Sequence, residues 1–147
     1  MFRGLTTITY SAPDVEQAAR WYVEVLGVEP YFRKEFAGAL AYVEFRLGDY
    51  SHELGILDRR YAGPTPDTQG GVVAYWAVDD IAAAYERLLS HGATVHAPVT
   101  EQGPGFITAS VYDPFGNVLG VMFNQHFLDG VTEARERAAT NAIIDAG

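Results

Sequence analysis

The chain has 147 residues, enough for one domain or for two small halves around a shared core. Apolar and aromatic content is ordinary for a globular protein, no apolar run reaches the length of a membrane span, and the net charge of −9 argues against a nucleic-acid partner. Without cysteine there are no disulfides or thiolate metal sites, and without a basic-then-apolar leader the expected location is the cytoplasm.

Leu5 to Ser11 is a β-prone run with Thr7 and Thr9 on one face and Ile8 and Tyr10 on the other. Ala12-Pro13 breaks it. Asp14 is a natural N-cap, Gln17 completes a capping box, and Val15, Ala18, Ala19, Tyr22 and Leu26 form a helical stripe that ends at Gly27. Val28 to Arg33 reads as a strand, followed by a loop around Gly38. Leu40 to Leu47 alternates, with Val43, Phe45 and Leu47 facing one way and Tyr42, Glu44 and Arg46 the other. Gly48-Asp49 turns the chain into a strand over His52 to Leu57, where Glu53 and Gly55 share a face. Asp58 to Gly71, with Gly63, Pro64, Pro66, Gly70 and Gly71, has the composition of a linker.

The second half repeats the first. Val72 to Val78 is a predicted strand, and Asp79 or Asp80 caps a helix with the stripe Ile81, Ala84, Tyr85, Leu88 and Leu89 that ends at Gly92. Thr94 to Val99 is a strand, Gly103-Pro104-Gly105 a loop, and Phe106 to Tyr112 an alternating strand. Asp113, Pro114 and Gly116 are the residue preferences of a type I turn, which leads into the uncharged strand Val118 to Phe123. The helix stripes match at an offset of 66 (Val15 to Ile81, Ala18 to Ala84), and Leu54-Gly55 matches Leu119-Gly120 at 65. The predicted fold is therefore α+β, two βαβββ repeats forming a curled mixed sheet. Each repeat would lay its helix on one sheet face, and the two bare faces would curl into a shared trough. Asp129 to Ala146 reads as one more helix with the weak stripe Val131, Ala134, Ala138 and Ala142. Ile143 and Ile144 would pack on the domain or on a partner chain, with a frayed tail as the alternative.

Asp14-Val-Glu-Gln-Ala-Ala-Arg-Trp-Tyr22 followed by Leu26-Gly27 resembles the first-helix signature of the vicinal oxygen chelate superfamily. That group holds glyoxalase I, bleomycin and fosfomycin resistance proteins and extradiol dioxygenases. Val78-Asp79-Asp80-Ile81 through His91-Gly92-Ala93 is similar to its second-helix signature, and Asp113-Pro-Phe-Gly-Asn117 to the turn before its last strand. The resemblance implies a family domain over residues 1–125, with repeat one over 1–60, a linker over 58–71 and repeat two over 72–125. Residues 126–147 are left as a helical extension. It also implies a homodimer. Metal-dependent members hold a divalent ion in the trough with His, Gln and Glu. Carried onto this chain, three of those positions fall on Thr7, Val73 and Gly120, and the fourth on Gly55 or on Glu53 two residues earlier.

That set is nearly empty of ligands, so the expectation is a protein with no cofactor that binds a small organic molecule in the trough, as resistance-type sequestering members do. Tyr42, Tyr75, Phe106 and Met122 would supply apolar and stacking surface, and Thr7, Thr9, Glu44, Arg46, Glu53, Thr108 and Ser110 would orient the ligand. Gly55 and Gly120 would leave room in the trough floor. The alternatives are an enzyme, with a divalent metal on unusual ligands or with Glu53 as the base of an isomerase, and a structural or regulatory dimer with a filled trough. The four histidines, His52, His91, His96 and His126, form no ligand pair. Surface or capping roles are expected for them, with His96 or His126 as a lone acid or base at the trough mouth.

Overall fold

The computed structural model describes residues 7–62 and 73–145, without the side chains of 143–145. Among the described residues, eight strands and three α-helices run in the order β1 (Thr7–Ala12), α1 (Val15–Leu26), β2 (Phe32–Phe36), β3 (Ala39–Leu47), β4 (His52–Asp58), β5 (Ala74–Ala77), α2 (Ile81–Ser90), β6 (Thr94–Gly103), β7 (Phe106–Tyr112), β8 (Val118–Asn124) and α3 (Gln125–Asp145). The two repeats form two four-stranded sheets, β1-β4-β3-β2 and β5-β8-β7-β6. In each, the first strand runs parallel to the last and the remaining pairs are antiparallel. The predicted linker residues Gly63, Pro64, Pro66, Gly70 and Gly71 and the side chains of Ile143 and Ile144 lie outside the described residues.

The helices start where their caps place them. The Asp14 carboxylate accepts from the Gln17 amide at 2.9 Å, and the Asp80 carboxylate accepts from Ala83 in the same way. Gly27 ends α1 at φ 71°, a left-handed conformation that closes a hydrogen bond back to Val23. The helical stripes are buried at Val15, Ala18, Ala19 and Tyr22 on α1 and at Ile81, Tyr85 and Leu88 on α2, while Leu26, Ala84 and Leu89 are half-buried. α1 covers one face of sheet one, where Leu54 and Ile56 are fully buried beside Val43 and Phe45, and α2 packs on β6, β7 and β8 of sheet two. Each such aliphatic side chain contributes about 1.5–3 kcal/mol by leaving water.

Several boundaries move. β2 begins at Phe32 rather than Val28, because Tyr31 still lies in the loop while its amide already bonds Glu44. β6 continues to Gly103, past Pro98, which an edge strand with register shifts tolerates. α3 begins at Gln125, directly after β8, and of its apolar stripe only Val131 is buried. Among the described residues no helix is long and apolar enough to cross a membrane.

The halves join through their helices and one turn. Trp21 Nε1 donates to the His91 carbonyl at 2.7 Å, and Arg87 Nε donates to the Val25 carbonyl at 3.0 Å. These bonds repeat one another at the offset of 66: Trp21 matches Arg87, and Val25 matches His91. The β7–β8 turn adds a second joint. Its buried Asp113 accepts from the amides of Phe115 and Asn117, from the Asn117 side chain and, at 2.7 Å, from the Tyr22 hydroxyl. Asn117 then clasps β1, accepting from the Ser11 amide at 3.1 Å and donating to its carbonyl at 3.0 Å. Gly116 takes the left-handed conformation that tightens this loop. The turn signature is thus the staple between the two repeats.

Candidate functional site

The odd-numbered residues of β1 and β4 and the even-numbered residues of β3 form the polar face of sheet one, as strand parity requires. Five predicted site residues meet there through one that the sequence did not single out. Thr7 donates to Glu53 at 2.8 Å, and Arg46 pairs with the other Glu53 oxygen at 3.6 Å. Tyr31 donates to Glu44 and, at 3.1 Å, to Glu53, while Tyr42 donates to Glu44. The Arg46 guanidinium lies 4.0 Å from the centre of the Tyr31 ring. Hydrogen bonds from Thr7 and then Tyr31, with the Arg46 charge beside them, hold the Glu53 carboxyl below the usual carboxylate range. Bonding to Glu44 pushes the Tyr31 phenol up to about 12, and burial with the same carboxylate raises Tyr42 further. Thr9, on the same face, is exposed.

Sheet two presents a neutral polar face. Ser110 is buried and lies 2.7 Å from His96 Nδ1, whose ring stands edge-on to Tyr112. Thr108, also buried, accepts from Gln102 at 3.0 Å, and Met122 sulfur accepts from Asn124. Phe106 and Tyr75 are exposed. β6 pairs Thr94 with Tyr112, so His96, two residues on, falls on the face of Tyr112 and Ser110. No hydrogen bond, ion pair or ring contact joins the two polar faces among the described residues. The predicted site residues therefore form two clusters, one on each sheet.

The glycines do not leave room in the floor. A Cβ at Gly120 would sit 2.6 Å from Tyr75 Cδ1 and 2.8 Å from the Ala74 carbonyl, and one at Gly55 would sit 2.7 Å from Tyr42 Cε2. Each glycine lies under a tyrosine ring supplied by a neighbouring strand, so the rings occupy the space that the sequence reading left open.

The donor set does not fit a divalent ion. Thr7 is committed to Glu53, Val73 has no donor atom, Gly120 has no side chain, and both Glu53 oxygens are engaged by protein groups. Among the described residues no three His, Cys, Asp or Glu side chains converge.

A cavity of about 400 Å³ lies beside this region, between the two repeats. Glu53, Tyr75 and Met122 reach its wall; the other predicted site residues do not.

Residues 4–121 match the family model described as the Glyoxalase/Bleomycin resistance protein/Dioxygenase superfamily. No curated protein matches the chain. Among solved structures, a glyoxalase-related enzyme from Fulvimarina pelagi is 21% identical, with a TM-score of 0.65 over 84% of this chain and 89% of that one. TioX from Micromonospora sp. ML1 is 18% identical, with a TM-score of 0.63 over 82% and 98%. A mutant of the fosfomycin resistance protein FosX from Listeria monocytogenes, complexed with Mn(II) and 1S,2S-dihydroxypropylphosphonic acid, is 14% identical, with a TM-score of 0.64 over 85% and 93%. At these identities the structures establish a shared fold, which spans enzymes and resistance proteins alike. The family match covers most of the chain and both of its repeats: the chain belongs to the glyoxalase/bleomycin resistance protein/dioxygenase superfamily.

Proposed function

We propose that this chain is a binding member of the superfamily, which holds a small organic molecule on the polar sheet faces as a homodimer and without a catalytic metal ion. One observation carries this reading: at the family's metal-ligand positions the chain has Gly120 covered by Tyr75, Val73 with no donor atom, and Thr7 already bonded to Glu53. Thr7, Thr9, Arg46 and Glu53 on one sheet and Thr108 and Ser110 on the other would orient the ligand, with Tyr31 and His96 joining them. Tyr42, Tyr75, Phe106 and Met122 would supply its apolar contacts. Glu44, Glu53 and the tyrosines suit a cationic aromatic group, for which the Arg46 guanidinium against Tyr31 is an internal stand-in. Exposed Phe32 and Phe36 on β2 and Val95 and Val99 on β6 offer apolar edge surface to a second copy.

The reading of Glu53 as the base of an isomerase is weakened by its environment. A general base works best with a pKa near the working pH, and the Glu53 carboxyl is pushed the other way.

Two measurements test the proposal. Elemental analysis of protein purified without added metal should find no bound transition metal; stoichiometric Zn, Ni, Fe or Mn that survives dialysis overturns the metal-free reading. Calorimetric titration with benzyltrimethylammonium should show saturable binding that Glu53→Gln weakens by about tenfold, the loss of one charge-assisted contact. Equal binding by Glu53→Gln and wild type removes the cationic-ligand assignment.

A further inference from the structure

The two repeats make two corners, and only one is filled. In the first, the β7–β8 turn tucks Phe115 against Trp21, with ring centres 6.1 Å apart, and Trp21 stands edge-on to Tyr22 at 4.8 Å. At the offset of 65 the β3–β4 turn is the counterpart. There Gly48 replaces Asp113, and Tyr50, in place of Phe115, is 51% exposed where Phe115 is 9% exposed. On α2, Leu88 replaces Tyr22 at the offset of 66. Asp113 and Tyr22 have no polar or aromatic counterpart in the second corner, Tyr50 lines it without being buried, and the cavity of about 400 Å³ lies there, walled also by Leu26, Leu47, Trp76, Ala84 and Leu88.

This corner also has a cover. Phe127 of α3 reaches the cavity, and Arg135 of the same helix pairs with Asp49, itself a wall residue in the β3–β4 turn. α3 lies wholly beyond the segment that matches the family model. The charged groups of the wall already have partners: Asp49 has Arg135, and Glu53 has Thr7, Tyr31 and Arg46.

We infer that this corner is a second ligand site, which shares only Glu53, Tyr75 and Met122 with the predicted site residues of the polar sheet faces, and which takes a neutral, ring-bearing apolar molecule in place of the buried rings the second repeat lacks, with α3 as its cover. The volume falls within the range of small-molecule sites, and a wall of aliphatic and aromatic side chains with matched charges favours an uncharged occupant.

The test uses N-phenyl-1-naphthylamine, a neutral probe whose fluorescence rises in apolar surroundings, with the full chain. Wild type should bind it saturably at one site per chain. Ala77→Phe on β5 and Ala84→Phe on α2, both at wall residues, should each weaken binding by about tenfold or more while the protein stays folded by circular dichroism. Arg135→Ala should speed probe release several-fold by loosening the cover. Excess benzyltrimethylammonium should leave the probe bound. Absence of saturable binding, wild-type affinity in whichever cavity-filling variant is folded, or displacement by benzyltrimethylammonium overturns the inference. The outcome is independent of whether the polar faces bind the cation.

Discussion

The β7–β8 turn and the β3–β4 turn are the same element used twice, and they do opposite things. The first buries Asp113 and Phe115, clasps β1 through Asn117 and takes a hydrogen bond from Tyr22 on α1. The second leaves Tyr50 half exposed at the cavity wall, puts His52 where Asn117 would be and, among the described residues, is tied to the terminal helix through Asp49 and Arg135. A duplicated fold needs one rigid joint between its halves. Once that joint exists, the equivalent place across the pseudo-twofold is free to vary. Stability is concentrated at one corner and empty volume at the other.

The sharpest way to break this contrast is to remove the acid at the centre of the staple. Asp113→Ala strands two backbone amides, the Asn117 side chain and the Tyr22 hydroxyl, and should cost about 4 kcal/mol, or roughly 10 °C in Tm for a chain of this size. Asp49→Ala, on the matching turn, should cost under about 1 kcal/mol, as an exposed ion pair does. Urea denaturation of both variants measures the difference, and equal losses would erase the distinction between the corners. A smaller effect is expected one step outward: Asn117→Ala gives up its clasp on Ser11 for about 2 kcal/mol, while His52→Ala should stay within about 0.5 kcal/mol. The helix clamps come next. Trp21→Phe loses a part-buried hydrogen bond to His91 and should cost about 1.5 kcal/mol, whereas Arg87→Met, exposed, should cost about 0.5 kcal/mol.

The contrast extends to the polar faces, one charged and one neutral, and the mildest test lies there. The native Glu53 carboxyl titrates below its unfolded value of 4.5, so its stabilising contribution is present above that pH and is lost as pH falls through the lowered native value. Thr7→Val removes the largest cause of that lowering. Carboxyl NMR titration should then show the Glu53 midpoint rising toward the ordinary value, with less of the acid-side stability change assignable to this residue. An unmoved midpoint would mean that Arg46 and Tyr31 alone set it.

Much of this architecture is legible in the sequence, for local reasons. Caps at Asp14 and Asp80, glycine stops and helical stripes are short-range signals, and a period of two assigns faces to β1, β3, β4, β7 and β8. The duplication confirms each assignment by its partner. What escapes is set by irregular backbone and tertiary packing. His96 lies on an edge strand whose register shifts repeatedly, so its meeting with Ser110 is set by a cross-strand pairing that the sequence does not announce. Tyr31 sits one residue before β2, where no alternation assigns a face, yet it links both carboxylates of sheet one. The tyrosine rings over Gly55 and Gly120 come from neighbouring strands, so neither glycine's own neighbourhood in the chain announces them. The empty corner is visible only once the filled one shows what the repeat can place there.

The ring of Tyr75 over Gly120 also sets which sequences lie one step away. Glu at 120, the residue that the resemblance would give a metal-binding relative, meets the Tyr75 ring and the Ala74 carbonyl at once. Shrinking Tyr75 first uncovers Gly120 without supplying a ligand. Neither single replacement moves toward a metal centre, and even the pair leaves the Cβ of residue 120 at 2.8 Å from the Ala74 carbonyl, with Thr7 and Val73 still to change. In the language of fitness landscapes the route to a metal centre crosses a valley several substitutions wide.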